Sequence, residues 1–415
     1  MGLESSKKSL LMGFTLLPYP LRAHGVSVRY LPIIEHLSKK YEIDLIIITG
    51  KEIERKNVKD LQKYCRRISI IPDTRCLEHG LITKLITYSK FVLPWNPPTT
   101  FISHNGQSVT REIRNATENQ HHTAVIWVGC YLLPNFISAL DSISTEKVLV
   151  DFIDSPSLWA KRQKEKIFNV DLLDKYESWK IKKWESKVIR EVDSVIYISE
   201  VDANTIPSTL TPGKSRHVIP NGINIGAYST EINPDIPSPN IGFLGSMSYG
   251  PNIEAVYWLY ERVFLPLRRT MQNLSLIIIG RDPVESIQEL GKNPGVRVTG
   301  TVDDIWPYVN SVNIFVFPIW TGAGMKNKIL EAMYAGKPVL TTNVGNEGID
   351  AIDGKELSIC QTSEEFQSEV IRMMENPEQR RLKGYSAHKF VMEKYSWDNI
   401  LSIYENLVNG ESIPQ

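Results

Sequence analysis

The sequence has few cysteines and no closely spaced pair, which removes two classes of protein at once. Its four cysteines, Cys65, Cys76, Cys130 and Cys360, are scattered and form no C-x-x-C motif. A disulfide-stapled scaffold and a cysteine-based metal site are therefore not expected, and a reducing compartment suits the chain.

The sequence also lacks an excess of charge of one sign and a long apolar run. Lysine and arginine number 47, aspartate and glutamate number 47, and the formal net charge is +0 at pH 7. Nucleic-acid binders usually carry a basic excess, so nucleic acid is not an expected partner. The apolar run at residues 10–17 is too short to span a bilayer. We expect a cytoplasmic protein, with membrane association on the cytosolic face left open.

The chain does have length and an alternation of strand and helix patterns. Its 415 residues suggest two domains. In the first half, strand patterns occur at residues 10–17, 43–49, 68–71, 124–128, 148–152 and 194–198, with helices at 26–40 and 172–192. A second series has strands at 241–244, 274–279, 296–299 and 314–318, and helices at 253–269 and 326–335.

This alternation predicts the α/β class, with two Rossmann-like, doubly wound parallel-sheet domains facing a cleft. Residues 1–225 form the predicted N-terminal domain, 226–240 a linker, and 241–398 the C-terminal domain. A helix at 399–415 is expected to pack back on the N-terminal domain. Ligands of such sheets bind at the carboxyl ends of the strands, so the loops after the strands should line the site.

The most informative segment is Gly322-Ala323-Gly324-Met325-Lys326-Asn327-Lys328, which follows a strand and opens a helix. Glycines let the backbone approach a ligand, and the first N–H groups of a helix favour an anion. Lys326 and Lys328, expected on an exposed helix start, add positive charge, and Glu331 offers an acceptor for sugar hydroxyls. The segment predicts a diphosphate site. The alternative is an ordinary strand–helix turn with two solvated lysines.

Further segments of the second half occur in an order typical of one enzyme family. They are Gly242-Phe243-Leu244-Gly245, Leu276-Ile277-Ile278-Ile279-Gly280, Leu330-Glu331-Ala332-Met333, Gly336-Lys337-Pro338-Val339 and Gly345-Asn346-Glu347-Gly348, preceded by Pro220-Asn221-Gly222-Ile223-Asn224. Together they resemble the donor-binding domain of the retaining GT-B glycosyltransferases of family 4. Residues 151–159 look like the branch that builds exopolysaccharides and other surface glycans.

The resemblance implies a GT-B architecture, with a nucleotide sugar on the second domain and the acceptor on the first. It implies a glycosyltransferase that moves a sugar, with retention of configuration, to a glycan or lipid-linked acceptor in surface or exopolysaccharide biosynthesis. It implies no metal and no other cofactor. The sequence agrees in having no D-x-D that follows a strand and could hold a divalent ion.

The resemblance also suggests roles for individual residues. Glu331 matches the second motif glutamate of the family, which binds the nucleotide ribose. Asp154 and His24 are the expected catalytic contacts, with a turn-capping role for Asp154 and a surface position for His24 as alternatives. Gly25 and Ser155 are expected on the acceptor side. The donor-binding set is Gly245, Arg281, Gly324, Met325, Lys326, Asn327, Lys328, Glu331, Glu347 and Gly348.

Two positions depart from the family pattern. The first motif glutamate, which normally touches the donor sugar, falls on Ala323, and a histidine of the N-terminal domain falls on Ile153. A non-catalytic partner that binds a sugar nucleotide therefore stays as an alternative, as does a GT-B enzyme that makes a small glycoside. A Rossmann dehydrogenase is disfavoured because residues 242–250 lack the full G-x-G-x-x-G.

Two segments bear on peripheral membrane contact. Residues 80–94 combine apolar side chains with Lys84 and Lys90, and fit either an interfacial helix or core packing. A basic region fits either contact with anionic lipid or ordinary solvated helix faces. It comprises Lys161, Arg162, Lys164, Lys166, Lys180, Lys182, Lys183 and Lys187.

Overall fold

The computed structural model of the protein describes residues 7–20, 25–49, 55–72, 96–98, 101, 106–165, 172–223, 229–321 and 324–411. The chain divides into two units. One consists of Met1–Ile219 with Leu401–Gln415, and the other of Pro220–Ile400. The division falls just before residue 225, where the sequence placed the end of the first domain.

The first unit is built on a parallel sheet. Its main strands are β1 (Lys8–Phe14), β2 (Tyr41–Thr49), β3 (Arg67–Pro72), β5 (Ala124–Val128), β7 (Val148–Ile153), β8 (Ser194–Tyr197) and β9 (Ser215–Val218). Within the described residues these seven strands lie in the order β3-β2-β1-β5-β7-β8-β9, and every neighbouring pair is parallel. Two short strands, β4 (His121–His122) and β6 (Ser144–Thr145), pair with each other.

Helices connect these strands, as parallel pairing requires. They are α1 (Gly25–Leu37), α2 (Arg55–Gln62), α3 (Gly106–Thr117), α4 (Leu133–Ile137), α5 (Pro156–Glu165), α6 (Leu172–Glu191) and α7 (Glu200–Ala203). The strand predicted at residues 10–17 ends earlier, at Phe14. The predicted strand 43–49 lies within β2, whose apolar run is buried almost throughout, as expected of a strand covered on both faces.

The second unit contains the other parallel sheet. Its strands are β10 (Asn240–Leu244), β11 (Ser275–Ile279), β12 (Val296–Val298), β13 (Ile314–Phe317), β14 (Val339–Thr341) and β15 (Ser358–Ile359). In the part of the chain that the structure describes, they form a six-stranded sheet in the order β12-β11-β10-β13-β14-β15. This is the doubly wound order of Rossmann domains. Every residue of β10, β11 and β13 is buried.

The helices of the second unit follow the same alternation. They are α8 (Gly250–Leu259), α9 (Leu265–Thr270), α10 (Glu285–Leu290), α11 (Trp306–Ser311), α12 (Asn327–Tyr334), α13 (Asn343–Asn346), α14 (Ser363–Glu375), α15 (Pro377–Tyr395) and α16 (Trp397–Asn409). A π-helical turn at Tyr260–Phe264 joins α8 to α9, so the predicted helix 253–269 is continuous. From Leu401 onward, α16 belongs to the first unit.

A buried charge pair lies at the centre of the first unit. Asp151 on β7 and Arg29 on α1 are both fully buried, and the Arg29 Nη2 and Nε atoms lie 2.9 and 3.0 Å from Asp151 Oδ2. The hydroxyl of Tyr30 also donates to Oδ2, and that of Tyr404 on α16 lies 3.3 Å from it. Burial and the Asp151 charge raise the pKa of both tyrosines well above the usual value, so both hydroxyls stay protonated.

The C-terminal helix makes further polar contacts within the first unit. Glu405 accepts from His36 Nε2 at 2.9 Å and from the ammonium of Lys40. The Lys147 ammonium donates to the carbonyl of Leu407 at 2.8 Å. Together with Tyr404, these contacts join the last helix to α1 and to the residues around β2 and β7.

We expect Arg29→Ala to destabilise the first unit by about 3–5 kcal/mol, because it leaves the Asp151 carboxylate buried without its counter-ion. Tyr404→Phe removes one hydrogen-bond donor and should cost about 1 kcal/mol. Urea unfolding followed by circular dichroism measures both.

Arg111→Ala is the matched control, since the Arg111 side chain is 71% exposed. It should change stability by less than about 0.5 kcal/mol. If Arg29→Ala unfolds at the same urea concentration as Arg111→Ala, the buried pair does not have the structural role assigned to it.

Candidate functional site

The second sheet changes its direction of winding between β10 and β13. These strands are neighbours, although β11 and β12 lie between them in sequence. The chain leaves two such neighbouring strands towards opposite faces of the sheet. This opens a crevice at the carboxyl ends of the strands, where proteins of this architecture bind their ligands. Residues 245–249 follow β10, and residues 324–328 lead from β13 into α12. We call these two segments the switch crevice.

Two glycines let the backbone segments beside the crevice touch. A Cβ atom on Gly280 would lie 1.7 Å from the carbonyl oxygen of Gly245, so only glycine fits there. The N–H of Gly245 donates to the Ile279 carbonyl at 3.0 Å, and that of Met247 to the Arg281 carbonyl at 2.9 Å. The loop after β10 is therefore fixed directly on the loop after β11.

Asn252 links the loop after β10 to α12. Its Nδ2 donates to the Ser246 carbonyl at 2.9 Å, and its Oδ1 accepts from the ammonium of Lys328. The same ammonium lies 5.0 Å from the centre of the Phe243 ring. Burial, followed by repulsion from Lys326, lowers the pKa of Lys328 to about 7. An anion placed here would reverse that shift, because it favours the protonated amine.

The expectation that both lysines lie on an exposed helix start is wrong. Lys326 and Lys328 are each partly buried. Lys326 is the N-cap residue of α12, and its ammonium donates to the Gly324 carbonyl. Their burial comes from tertiary contacts, since Asn252 and the loop after β10 cover the start of the helix.

The remaining residues at the start of α12 are held in place by their neighbours. Gly324 adopts a left-handed φ of 70°, and Gly324 and Met325 are buried. Asn327 accepts a hydrogen bond from Asn221 Nδ2 at 3.0 Å. Lys326 and Lys328 thus lie at the same end of α12 as its first N–H groups, an arrangement suited to an anion with several oxygens.

Other predicted donor residues lie at the same edge of the sheet. Glu331 is one turn into α12 and partly buried. Glu347 directly follows α13 after strand β14, and Gly348 is buried with φ 77°. Arg281 follows β11 and is exposed, with its Nε 3.7 Å from Asp282 Oδ2. Because neighbouring parallel strands end at the same edge, all four lie on the crevice side of the sheet.

A second candidate site lies in the first unit. A cavity of about 540 Å³ opens beyond the carboxyl ends of β1, β5 and β7, at the point where that sheet also changes direction. Its lining residues include Gly25, expected from the sequence on the acceptor side, and Asp154, expected to be a catalytic contact. The other described lining residues are Leu16, Val26, Phe101, Gly129, Cys130, Tyr131, Phe152, Ile153, Pro156 and Trp159.

Ile153, at the end of β7, has an unusual backbone conformation. Its φ of 65° is in the left-handed region, which a β-branched residue rarely occupies. The register between β7 and β8 shifts at this point. The N–H of Ile153 donates to Asp151 Oδ1 at 2.8 Å, so the buried carboxylate holds the turn that leads to Asp154. Strain of this kind is common at functional sites and motivates a functional hypothesis for Asp154.

Ser155 does not line the cavity, although the sequence placed it on the acceptor side. It is fully buried, its N–H donates to Asp202 Oδ1 at 2.7 Å, and its hydroxyl donates to Glu185 Oε1 at 3.0 Å. Its contacts fix the start of α5. Burial raises the pKa of the Cys130 thiol to about 12, so this cavity residue is protonated at neutral pH and a poor nucleophile.

Several predictions concern residues outside the described part of the chain. They are His24, Lys166, Asn224, Gly322, Ala323 and residues 80–94. Conversely, sequence reasoning missed Asn252 and the aromatic residues Phe101, Tyr131 and Trp159. An asparagine near a helix start and scattered aromatic residues are common, and only tertiary contacts reveal their positions.

Among the described residues, no group of three or more histidine, cysteine, aspartate or glutamate side chains is placed to hold a metal ion. Among the described helices, none has the length and apolar character needed to cross a membrane.

Comparison with known proteins agrees with this geometry. Residues 238–376, which lie in the second unit, match the family described as "Glycosyl transferases group 1". A protein named uncharacterized glycosyltransferase MJ1069 from Methanocaldococcus jannaschii is 25% identical over 54% of this chain and 60% of its own. A capsular polysaccharide biosynthesis glycosyltransferase, CapM, from Staphylococcus aureus is 32% identical over 33% of this chain and 39% of its own. The matches thus span less than two thirds of these relatives.

Solved structures resemble the protein over nearly its whole length. Sucrose-phosphate synthase from Thermosynechococcus elongatus covers 97% of this chain and 99% of its own, with a TM-score of 0.68 and 15% identity. Anabaena HepE in complex with UDP and glucose aligns over 96% of this chain and 99% of its own chain, with a TM-score of 0.62 and 12% identity. The structural neighbours are GT-B glycosyltransferases, in keeping with two Rossmann-like domains.

Gly280→Ala should destabilise the second unit by about 1–3 kcal/mol or more, because its methyl group would overlap the Gly245 carbonyl. Gly250→Ala is the control. It opens α8, and a Cβ there meets nothing within 4 Å, so stability should be unchanged or slightly higher. Thermal unfolding measures both. Equal melting temperatures for the two variants would contradict the close contact of the two loops.

Proposed function

We propose that this protein is a glycosyltransferase that moves a sugar from a nucleotide-sugar donor to a glycan or lipid-linked acceptor in surface-glycan biosynthesis. The configuration at the anomeric carbon is retained. The observation that carries the proposal is the pair Lys326 and Lys328 at the start of α12, beside the loop after β10, inside a group 1 glycosyltransferase domain. The capsular-polysaccharide name of one relative supports the surface-glycan assignment.

The switch crevice would hold the donor diphosphate. The first N–H groups of α12 and the ammonium groups of Lys326 and Lys328 supply donors and positive charge in a partly desolvated place. Glu331, one turn further along α12, would accept the ribose hydroxyls. Glu347 and the N–H of Gly348 would contact the donor sugar. UDP is the first nucleotide to test, since it is bound in the similar HepE structure.

The proposed transfer needs no covalent enzyme intermediate. The acceptor oxygen forms its bond to the anomeric carbon on the face from which the diphosphate leaves, and the acceptor proton passes to the departing phosphate oxygen. The protein's part is to stabilise the charge on the leaving diphosphate, through the lysines and the helix start, and to align the acceptor. Asp154 would orient the acceptor hydroxyl in the first-unit cavity. We propose that no metal takes part.

The departure at Ala323 favours one competing hypothesis, a partner protein that binds a sugar nucleotide without turnover. Loss of a donor-sugar contact would impair chemistry more than nucleotide binding, because the proposed diphosphate contacts are made by other residues, at the start of α12. An enzyme that makes a small glycoside is the second alternative, and it differs only in the acceptor.

Release of nucleoside diphosphate tests the proposal. The full chain is incubated with UDP-glucose, UDP-N-acetylglucosamine, GDP-mannose or dTDP-rhamnose, with and without EDTA, and products are separated by chromatography. We expect slow hydrolysis of at least one donor, unaffected by EDTA. Binding without any release would favour the non-catalytic partner, and loss of activity in EDTA would contradict metal independence.

The double substitution Lys326→Ala with Lys328→Ala should weaken binding of the accepted nucleotide sugar at least tenfold. Each lysine makes a charge-assisted contact worth about 1.5–3 kcal/mol, and 1.4 kcal/mol corresponds to a factor of ten. Isothermal titration calorimetry measures the change.

The matched control removes two exposed lysines of the same unit, Lys292 and Lys389, whose side chains are 72% and 61% exposed. Their replacement by alanine should leave donor affinity unchanged. A folded Lys326/Lys328 variant that binds as tightly as this control would remove the diphosphate assignment.

Donor affinity should also fall as pH rises above about 7. Lys328, with a pKa lowered to about 7, binds an anion in its protonated form, so affinity is full below that pH. Above it, each pH unit should cost up to about tenfold, until the pKa reached in the complex. A nucleotide sugar is the suitable ligand because its diphosphate has no terminal phosphate that titrates near pH 6.

Lys328→Arg separates this effect from other titrations, because arginine stays charged throughout this range. If Lys328→Arg still binds, its affinity should be flat between pH 6 and 8. An equally flat profile for the unaltered protein would contradict the role of Lys328.

A further inference from the structure

We propose that the first-unit cavity binds an apolar group of the acceptor, an alkyl or prenyl chain or an aromatic ring, while Asp154 at its wall receives the reacting hydroxyl. This inference rests on the proposed glycosyl transfer and deepens it, because it assigns the chemical class of the acceptor. It concerns a subsite that can be tested by binding alone, without turnover.

The described lining of the cavity is mainly apolar. The lining includes the aromatic residues Phe101, Phe152 and Trp159 and the aliphatic residues Leu16 and Val26. A sugar ring buried among these apolar side chains would have few hydrogen-bond partners for its hydroxyl groups, which is unfavourable. An apolar group gains from the same burial, since the free energy follows the apolar area removed from water.

The charges of the described lining residues also indicate which chemical group of the acceptor the cavity would hold. Among the described lining residues, Asp154 is the acidic one and none is lysine or arginine. Among these described residues a phosphate or diphosphate group would meet the carboxylate of Asp154 and no counter-charge, so it is disfavoured as an occupant. The part of the acceptor inside the cavity should therefore be neutral and apolar, and any phosphate of a lipid carrier should lie outside it.

Size and exposure agree with a ligand of this kind. The volume of about 540 Å³ is within the range of pockets that enclose a drug-sized molecule. Trp159 is 43% exposed although it lines the cavity, and a large aromatic side chain left open beside an apolar cavity offers a stacking surface. The turn at Ile153, held by Asp151, leads directly to Asp154, which is a lining residue of the cavity.

Three probes that share one sugar test the proposal on the full chain. They are methyl, phenyl and n-octyl β-glucoside, the last below its micelle-forming concentration, and calorimetry measures their binding. We expect at least tenfold tighter binding of the octyl or the phenyl compound than of the methyl compound. Tighter octyl binding indicates a chain, and tighter phenyl binding an aromatic ring. Equal affinities, or preference for the methyl compound, would overturn the proposal.

Two substitutions locate the bound probe. Val26→Trp should fill the cavity and weaken binding of the preferred probe at least tenfold, whereas Val201→Trp, at an exposed position outside the cavity, should not. If Val26→Trp fails to fold, Trp159→Ala is the variant that tests whether the probe binds in this cavity. It should weaken binding of the preferred probe, because the stacking surface is lost. Probe binding that neither cavity variant alters would overturn the assignment to this cavity.

The outcome is separable from that of the proposed function. Failure to release nucleoside diphosphate from any donor would contradict glycosyl transfer, whereas the probe measurements involve no donor. Conversely, donor turnover together with equal affinity for the three probes would leave the enzyme assignment intact and remove the apolar subsite.

Discussion

The buried carboxylate of Asp151 is the interaction on which the first unit depends. It lies at the end of β7, pairs with Arg29 of α1 at 2.9 Å, and receives the hydroxyl of Tyr404 from the last helix. Three distant parts of the chain therefore meet at one charge. Since burial of an unpaired charge is very costly, this arrangement requires all the partners to be in place. Its second oxygen holds Ile153, so the same group that closes the fold also shapes the cavity wall.

A backbone constraint has the corresponding role in the second unit. Gly280 lies so close to Gly245 that no side chain fits between the two loops, and Asn252 then connects that loop to Lys328. Lys328 is consequently held at the start of α12 without a ligand. Its burial there lowers its pKa to about 7. A site prepared in this way favours an anion, because binding returns the charge that burial opposes.

Much of the fold could be predicted from the sequence, and less of the site. Continuous apolar runs such as residues 43–49 and 274–279 indicated buried parallel strands, and the glycine–lysine segment before residue 331 indicated the helix start. The burial of Lys328 depends on Asn252, 76 residues away, and that of Ser155 on Glu185 and Asp202, so local pattern could not reveal either. The left-handed turn at Ile153 runs against the preference of a β-branched residue.

The proposed donor site requires a nucleoside diphosphate to bind at the switch crevice. Amide hydrogen exchange, measured with and without UDP, GDP, dTDP and ADP in turn, tests it most directly, because it maps protection along the chain without requiring turnover or an acceptor. The account predicts that at least one nucleotide slows exchange in peptides covering residues 245–252 and 324–331. Unchanged exchange in those peptides with every nucleotide, or protection confined to the first unit, would contradict it.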